Sequence, residues 1–100
     1  MSRALVVGAH TESDILDAYV WYEARQEGLG RWFVGQLESA FARILTDPFS
    51  YPEDLPGIRR SLLHVFPYLV FYTLDEETIE ILAVIHASQD RRNVEPRLDA

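Results

Sequence analysis

Two arginine pairs and one histidine are the residues best suited to chemistry or charged recognition. Arg59-Arg60 leads into an apolar stretch, His86 ends another, and Arg91-Arg92 follows shortly after. An imidazole with guanidinium groups is material for work on a phosphodiester. In-line attack there needs a base for the attacking hydroxyl, an acid for the leaving oxygen and cations for the developing charge. Each residue also has a plainer reading. Arg59 and Arg60 alternate across a strand, so at most one faces a single ligand; a solvated edge, or an ion pair with Asp54 or Glu80, would account for them equally. His86 at a strand end suits a hydrogen-bonded structural role. Arg91 and Arg92 fit an acidic partner segment, a phosphate or a solvated tail. His10, His64 and His86 have no ligand-like spacing and there is no cysteine, so neither a metal site nor a disulfide is expected. There is no glycine-rich phosphate loop and no Ser-His-Asp signature, and no cofactor is expected.

The charge balance limits what these residues can meet. The 100 residues carry 16 acidic side chains against nine arginines and no lysine, a formal charge of −7. Binding along a phosphate backbone depends on neutralising many phosphates, so direct DNA binding is not expected, and any nucleic-acid contact is local to the arginine pairs. No apolar run approaches the roughly 20 residues of a membrane span. The N-terminus enters a strand-like run rather than a signal peptide, and with no cysteine the expectation is a cytoplasmic protein. Hydrophobic content of 48% suits one globular domain over residues 1–100.

The positioning elements follow from periodicity. Ala4-Leu5-Val6-Val7, bounded by Gly8, predicts a strand. Thr11 is the expected N-cap of a helix from about Glu12 to Gln26, with Ile15, Leu16, Ala18, Tyr19 and Tyr22 at helical spacing. Trp21, Trp32 and the tyrosines of this helix suit core and staple positions better than a base-stacking platform. Gly28-Leu29-Gly30 starts a second helix whose buried face is Phe33, Leu37, Ala40, Phe41 and Ile44, ended by Asp47-Pro48. The pair makes a helical hairpin. Residues 48–57, with three prolines, read as a loop. Three strands follow, about Ile58 to Phe66, Tyr68 to Leu74 and Thr78 to His86, with Asp75-Glu76-Glu77 at a turn. The tail from Asn93 is expected to fray. The expected fold is therefore α+β: a strand, a helical hairpin and a three-stranded antiparallel meander, giving a four-stranded sheet with both helices on one face. Strict alternation places Ile79, Ile81, Ala83 and Ile85 against the helices, and Glu80, Leu82, Val84 and His86 on the other side. That leftover apolar surface suggests a protein partner.

This order of parts resembles the RelE/ParE superfamily of bacterial type II toxins. Asp14-Ile15-Leu16 with Tyr22 is similar to the family's first helix, and Gly28-Leu29-Gly30-Arg31-Trp32-Phe33 to its helix junction. Asp47-Pro48 and Tyr51-Pro52 match the following loop. Ile58-Arg59-Arg60, Phe66-Pro67-Tyr68 and Tyr72 resemble the central hairpin. Leu82-Ala83-Val84-Ile85-His86 and Asp90-Arg91-Arg92 resemble the final strand and basic ending. No one motif is specific alone; in order, over most of the chain, they form a match.

The resemblance implies a toxin held inactive by a cognate antitoxin, in a toxin–antitoxin hetero-oligomer. The ParE-like, plasmid-stabilisation branch poisons DNA gyrase. The RelE-like branch cuts mRNA in the ribosomal A site with basic residues and a C-terminal tyrosine. This chain has no lysine and no tyrosine after Tyr72, and it is acidic. Those departures favour the ParE-like reading, a toxin that binds a protein target and is not a nuclease. A RelE-like endoribonuclease and a non-toxic antitoxin-binding relative are the alternatives. The candidates for target or antitoxin contact are Arg59, Arg60, Leu82, Val84, His86, Arg91 and Arg92. The antitoxin segment is expected on the face bearing Leu82 and Val84, with Arg59 or Arg60 at its rim.

Overall fold

The computed structural model describes residues 3–89; Arg91, Arg92 and the tail from Asn93 lie outside them. The chain forms β1 (Ala4–Val7), α1 (Ala9–Arg25), α2 (Leu29–Thr46), β2 (Glu53–Leu55), β3 (Ile58–Leu62), β4 (Tyr68–Leu74) and β5 (Thr78–His86). The strands make one mixed sheet in the order β1-β5-β4-β3-β2. β1 runs parallel to β5 and the other neighbours are antiparallel. Phe33, Leu37, Ala40 and Ile44 of α2 and Tyr22 of α1 share one core with Val70, Tyr72, Ile79 and Ile81, so both helices lie on the same face. A second cluster, Ile58, Phe71, Ala83 and Ile85, forms on the opposite face and contains no helical residue.

The α+β order is as expected, with five strands rather than four. The extra one, β2, lies in the proline-rich segment read as a loop. It has three residues, pairs only with β3, and is followed by a turn at Gly57, whose φ is 79°. A three-residue edge strand flanked by prolines carries no period to read. β3 stops at Leu62, short of the expected Phe66, because Leu63 and Phe66 turn inward to the helix-side core. There the Leu63 N–H donates to the Tyr68 carbonyl at 2.9 Å.

The main correction concerns the faces of β5. A β-bulge interrupts its pairing with β4: Phe71 pairs with Ala83, yet Tyr72 pairs with Ile81, leaving Leu82 as the extra residue. One extra residue inverts the alternation beyond it. Ile79 and Ile81 do face the helices. After the bulge it is Val84 that joins them, while Ala83 and Ile85 go to the far side. The expected face shared by Leu82 and Val84 does not exist, because Leu82 packs with the far cluster. Nor is the far side an open apolar surface: Phe71, Ala83 and Ile85 are buried.

Thr11, the expected N-cap, explains how the bulge is held. Gly8 caps α1 instead, and Thr11 sits buried inside the first turns. Its hydroxyl donates to the Leu82 carbonyl at 3.1 Å. A bulge disrupts the regular ladder, and here α1 satisfies the carbonyl of the extra residue.

The helix junction depends on its two glycines. Gly28 has a φ of 90°, which costs an L side chain roughly 1–2 kcal/mol. At Gly30, a Cβ would lie 2.6 Å from the Tyr19 carbonyl oxygen. Only hydrogen there lets α2 start this close to α1.

Candidate functional site

Among the described residues, Arg59, Arg60 and His86 are not brought together. On β3, Arg59 pairs with Tyr72 and so shares the helix face, whereas Arg60 pairs with Phe71 and shares the far face. Arg59 Nη1 donates to the carbonyls of Phe49 and Tyr51, and its guanidinium lies 5.4 Å from the Phe49 ring centre. It holds the segment between α2 and β2 onto the sheet. Tyr72 secures the same segment: its hydroxyl donates to the Pro48 carbonyl at 2.6 Å, and burial pushes its phenol up to about 12. Arg60 pairs with Asp54, Nη1 to Oδ1 at 3.6 Å, one of the two carboxylates that the sequence offered it.

His86 sits at the other end of the sheet. It pairs with Tyr68, and the rings meet edge to face at 5.3 Å. The Ser88 N–H donates to its Nδ1 at 3.1 Å, and Ser88 Oγ lies 2.7 Å from the same nitrogen. A backbone N–H can only donate, so Nδ1 is the acceptor and the neutral ring carries its proton on Nε2. The lone pair a general base would use is therefore engaged in closing the turn after β5. Ser88, two residues on, was the missed partner, and nothing in the sequence marked it.

Distance completes the separation. Tyr68 and Tyr72 are four residues apart on β4, about 13 Å at strand spacing, and β3 and β5 flank β4, about 10 Å apart. Arg59 and His86 therefore cannot share a reacting atom, which needs groups within about 3 Å. The described residues also contain no group of three or more His, Cys, Asp or Glu able to hold a metal ion.

A recess does exist beside His86. An open cleft of about 510 Å³ runs between α1 and the end of β5, lined by Asp14, Asp17, Trp21, Tyr68, Val84 and His86 among others. Burial raises the Tyr68 phenol to about 12, so it stays a neutral donor at physiological pH. Trp21 is half exposed at the rim, with the Arg25 guanidinium 3.8 Å from its ring centre. Aromatic faces, carboxylates and an imidazole are suited to gripping a protein segment, and no arginine is among the described residues that line the cleft.

α1 carries a further feature that helical spacing alone does not assign to a face. Leu16, one of the residues whose spacing marked the helix, is 59% exposed, and Val20, one turn on, is 56% exposed. Trp21 and Trp32 are also half exposed rather than core residues. Trp32 nonetheless packs edge to face on Phe66 at 5.4 Å, and Trp21 on Tyr22 at 5.0 Å.

Comparison with known proteins gives one family. The model of the ParE toxin of type II toxin–antitoxin systems, parDE, matches residues 9–91. Toxin ParE2 of Mycobacterium tuberculosis, from strains CDC 1551 / Oshkosh and H37Rv, is 28% identical over 99 residues, spanning 98% of this chain and 94% of the relative. Among solved structures, the chromosomal ParDE toxin–antitoxin system from P. aeruginosa aligns with a TM-score of 0.77 at 15% identity, covering 87% of this chain and 98% of that one. A doubly substituted E. coli toxin RelE in the free state aligns at 0.62 and 15% identity, over 97% and 94% of the chains. At such identities the structural likeness concerns the fold.

Proposed function

The chain belongs to the ParE toxin family of type II toxin–antitoxin systems, and from that premise we propose that it acts in the cytoplasm by binding a protein target such as DNA gyrase. A cognate antitoxin neutralises it in a hetero-oligomer. One observation carries the choice of binding over cutting. Arg59, Arg60 and His86 are each committed to a separate local partner, on two faces and two ends of the sheet. In-line cleavage of RNA requires such groups to converge on one phosphate. The acidic total works against docking into ribosomal RNA.

Arg59 and Val84 belong to the scaffold in this reading. Arg60 and Leu82 on the far face, His86 at the cleft, and Arg91 and Arg92 remain the candidates for target contact. The test is a paired assay of purified toxin, on gyrase supercoiling and on ribosome-bound mRNA. The expected result is inhibited supercoiling, relieved by antitoxin, with intact mRNA. Cleavage at the A site that disappears in Arg91→Ala, with gyrase unaffected, would establish a RelE-like nuclease instead. Silence in both assays, with antitoxin binding retained, would leave a non-toxic binding module.

A further inference from the structure

The solvent side of α1 is built like an interface. Ala9, Ser13, Leu16, Val20 and Ala24 recur every third or fourth residue, so they form one line along the helix. All five are exposed, and none carries a charge. This line lies opposite the residues α1 buries, Thr11 and Tyr22. A helix lying on a soluble domain normally turns charge to that side. From Ala9 to Ala24 the line is about 22 Å long at 1.5 Å per residue, room for roughly four turns of a second helix.

The flanks specify the partner's charge. Exposed Glu12 borders the line on one side and exposed Asp17 on the other, with Asp14 beyond Asp17 toward the cleft. Arg25, the basic residue in the last turn, stacks on Trp21. A second copy docked by the same line would bring these acids against their own counterparts, which is repulsive. A helix with an apolar seam and lysines or arginines beside it would meet complementary charge at both borders.

The geometry points to this line on α1 as the docking surface for a basic amphipathic helical segment of the antitoxin. Leu16 and Val20 are its apolar anchors, and Glu12 and Asp17 its charged borders. The inference rests on the antitoxin reading for the partner's identity, and adds the face and the charge that recognise it.

The test measures dissociation of the purified toxin from its full-length cognate antitoxin, with four toxins compared at two salt concentrations. Leu16→Glu with Val20→Glu should raise Kd by more than about tenfold, since each anchor loses its apolar burial and gains a charge. Glu12→Lys with Asp17→Lys should weaken binding and flatten its salt dependence. Leu62→Ser, which removes an exposed apolar side chain on the far face, should change nothing. Every position is on the surface, so thermal unfolding should report an intact fold throughout. Undiminished affinity in the Leu16, Val20 variant would overturn the surface assignment. Weakening there, with unchanged affinity and salt slope in the Glu12, Asp17 variant, would overturn the basic partner. A toxin dimer that dissolves in the Leu16, Val20 variant, with antitoxin affinity unmoved, would assign the line to self-association. Failure of the wild-type toxin to bind antitoxin would remove the antitoxin reading, and this occupant with it.

Discussion

The two helices pack on the same face of the same sheet, yet they treat solvent differently. α2 buries Phe33, Leu37, Ala40 and Ile44 and exposes charged residues, Arg31, Glu38 and Arg43. It is amphipathic in the ordinary sense, with most of its large apolar residues in or against the core and Trp32 and Leu45 exposed. α1 fully buries only Thr11 and Tyr22, and its exposed line contains Leu16 and Val20. Apolar residues that contribute little to the core and lie on the surface in register are suited to a partner. α2 is thus the scaffold helix, and α1 the helix with something left to bind.

The contrast predicts very different stability losses in the two helices, and this is the largest expected effect. Phe33→Ala should cost about 3–5 kcal/mol of folding stability, because the side chain is fully buried and leaves a cavity. Leu16→Ala should stay within roughly 0.5 kcal/mol, as surface changes do. Urea denaturation of both variants checks the pair. Equal losses would mean that Leu16 is a core residue and would erase the distinction between the helices.

What was legible in the sequence divides along a similar line. The family, the element order and the helical hairpin could be read because α2's period is clean and Gly28-Leu29-Gly30 has a steric reason to be where it is. The faces of β5 could not. Strict alternation runs through Ile79, Ile81, Ala83 and Ile85, and a bulge leaves no mark in a run where every residue is apolar. The tie between Thr11 and the Leu82 carbonyl spans 71 residues and depends on tertiary approach alone. The exposure of Leu16 was not legible, because α1 has apolar residues on both sides and helical spacing does not say which side faces in. Candidate residues were harder still. Arg59 and His86 are of the right types for chemistry, but their partners are backbone groups of Phe49, Tyr51 and Ser88, and side-chain identity does not encode these.

The end of the sheet under α2 should fail first in alkali. Tyr72 is fully buried and donates to Pro48 just beyond α2, and its phenol is raised to about 12. A raised value means that the neutral form is favoured on folding. The contribution is complete below the unfolded value near 10 and is lost as pH rises through about 12. Stability should fall by a few kcal/mol across that window, and Tyr72→Phe should lower stability at neutral pH while reducing the alkaline slope. Tyr68, raised to about 12 by burial, supplies a second contribution in the same window, so the slope should shrink and not vanish. An unchanged slope would show that the Tyr72 hydroxyl is not the group being lost.

Thr11→Val probes what ties α1 to the sheet. Valine keeps the shape and removes the donor, leaving the Leu82 carbonyl at the bulge without it. The expected loss is about 1–3 kcal/mol. Hydrogen exchange should rise around Leu82 more than within α2, because the bulge is supported from α1. Uniform loosening of both helices would show that the bulge holds itself.

The smallest effect tests a charged link between the helices. Glu23, on α1, accepts from the N–H groups of Gly28 at 2.8 Å and Gly30 at 2.9 Å, and so supplies the cap that α2 lacks from its own Gly28. These bonds, Gly28 first, outweigh desolvation and hold the carboxyl below its ordinary value of 4.5, with Arg31 assisting. A depressed carboxylate stabilises the fold above the unfolded value, and that contribution is lost as pH falls through the lower, folded value. The relevant window therefore lies below 4.5. Asp75 is lowered in the same way by Thr78 and Glu77 N–H groups, and it forms a second, independent contribution in the β4–β5 turn. Glu23→Gln should thus be less stable than the parent at neutral pH, and the gap should close as pH falls through the parent's lowered folded value, where the charged acceptor is lost. Adding Asp75→Asn should reduce the remaining acid dependence further. If Glu23→Gln lowers stability equally at neutral and acid pH, the side chain acts through its shape and not its charge, and the helices are joined by packing, as between Tyr22 and Phe33.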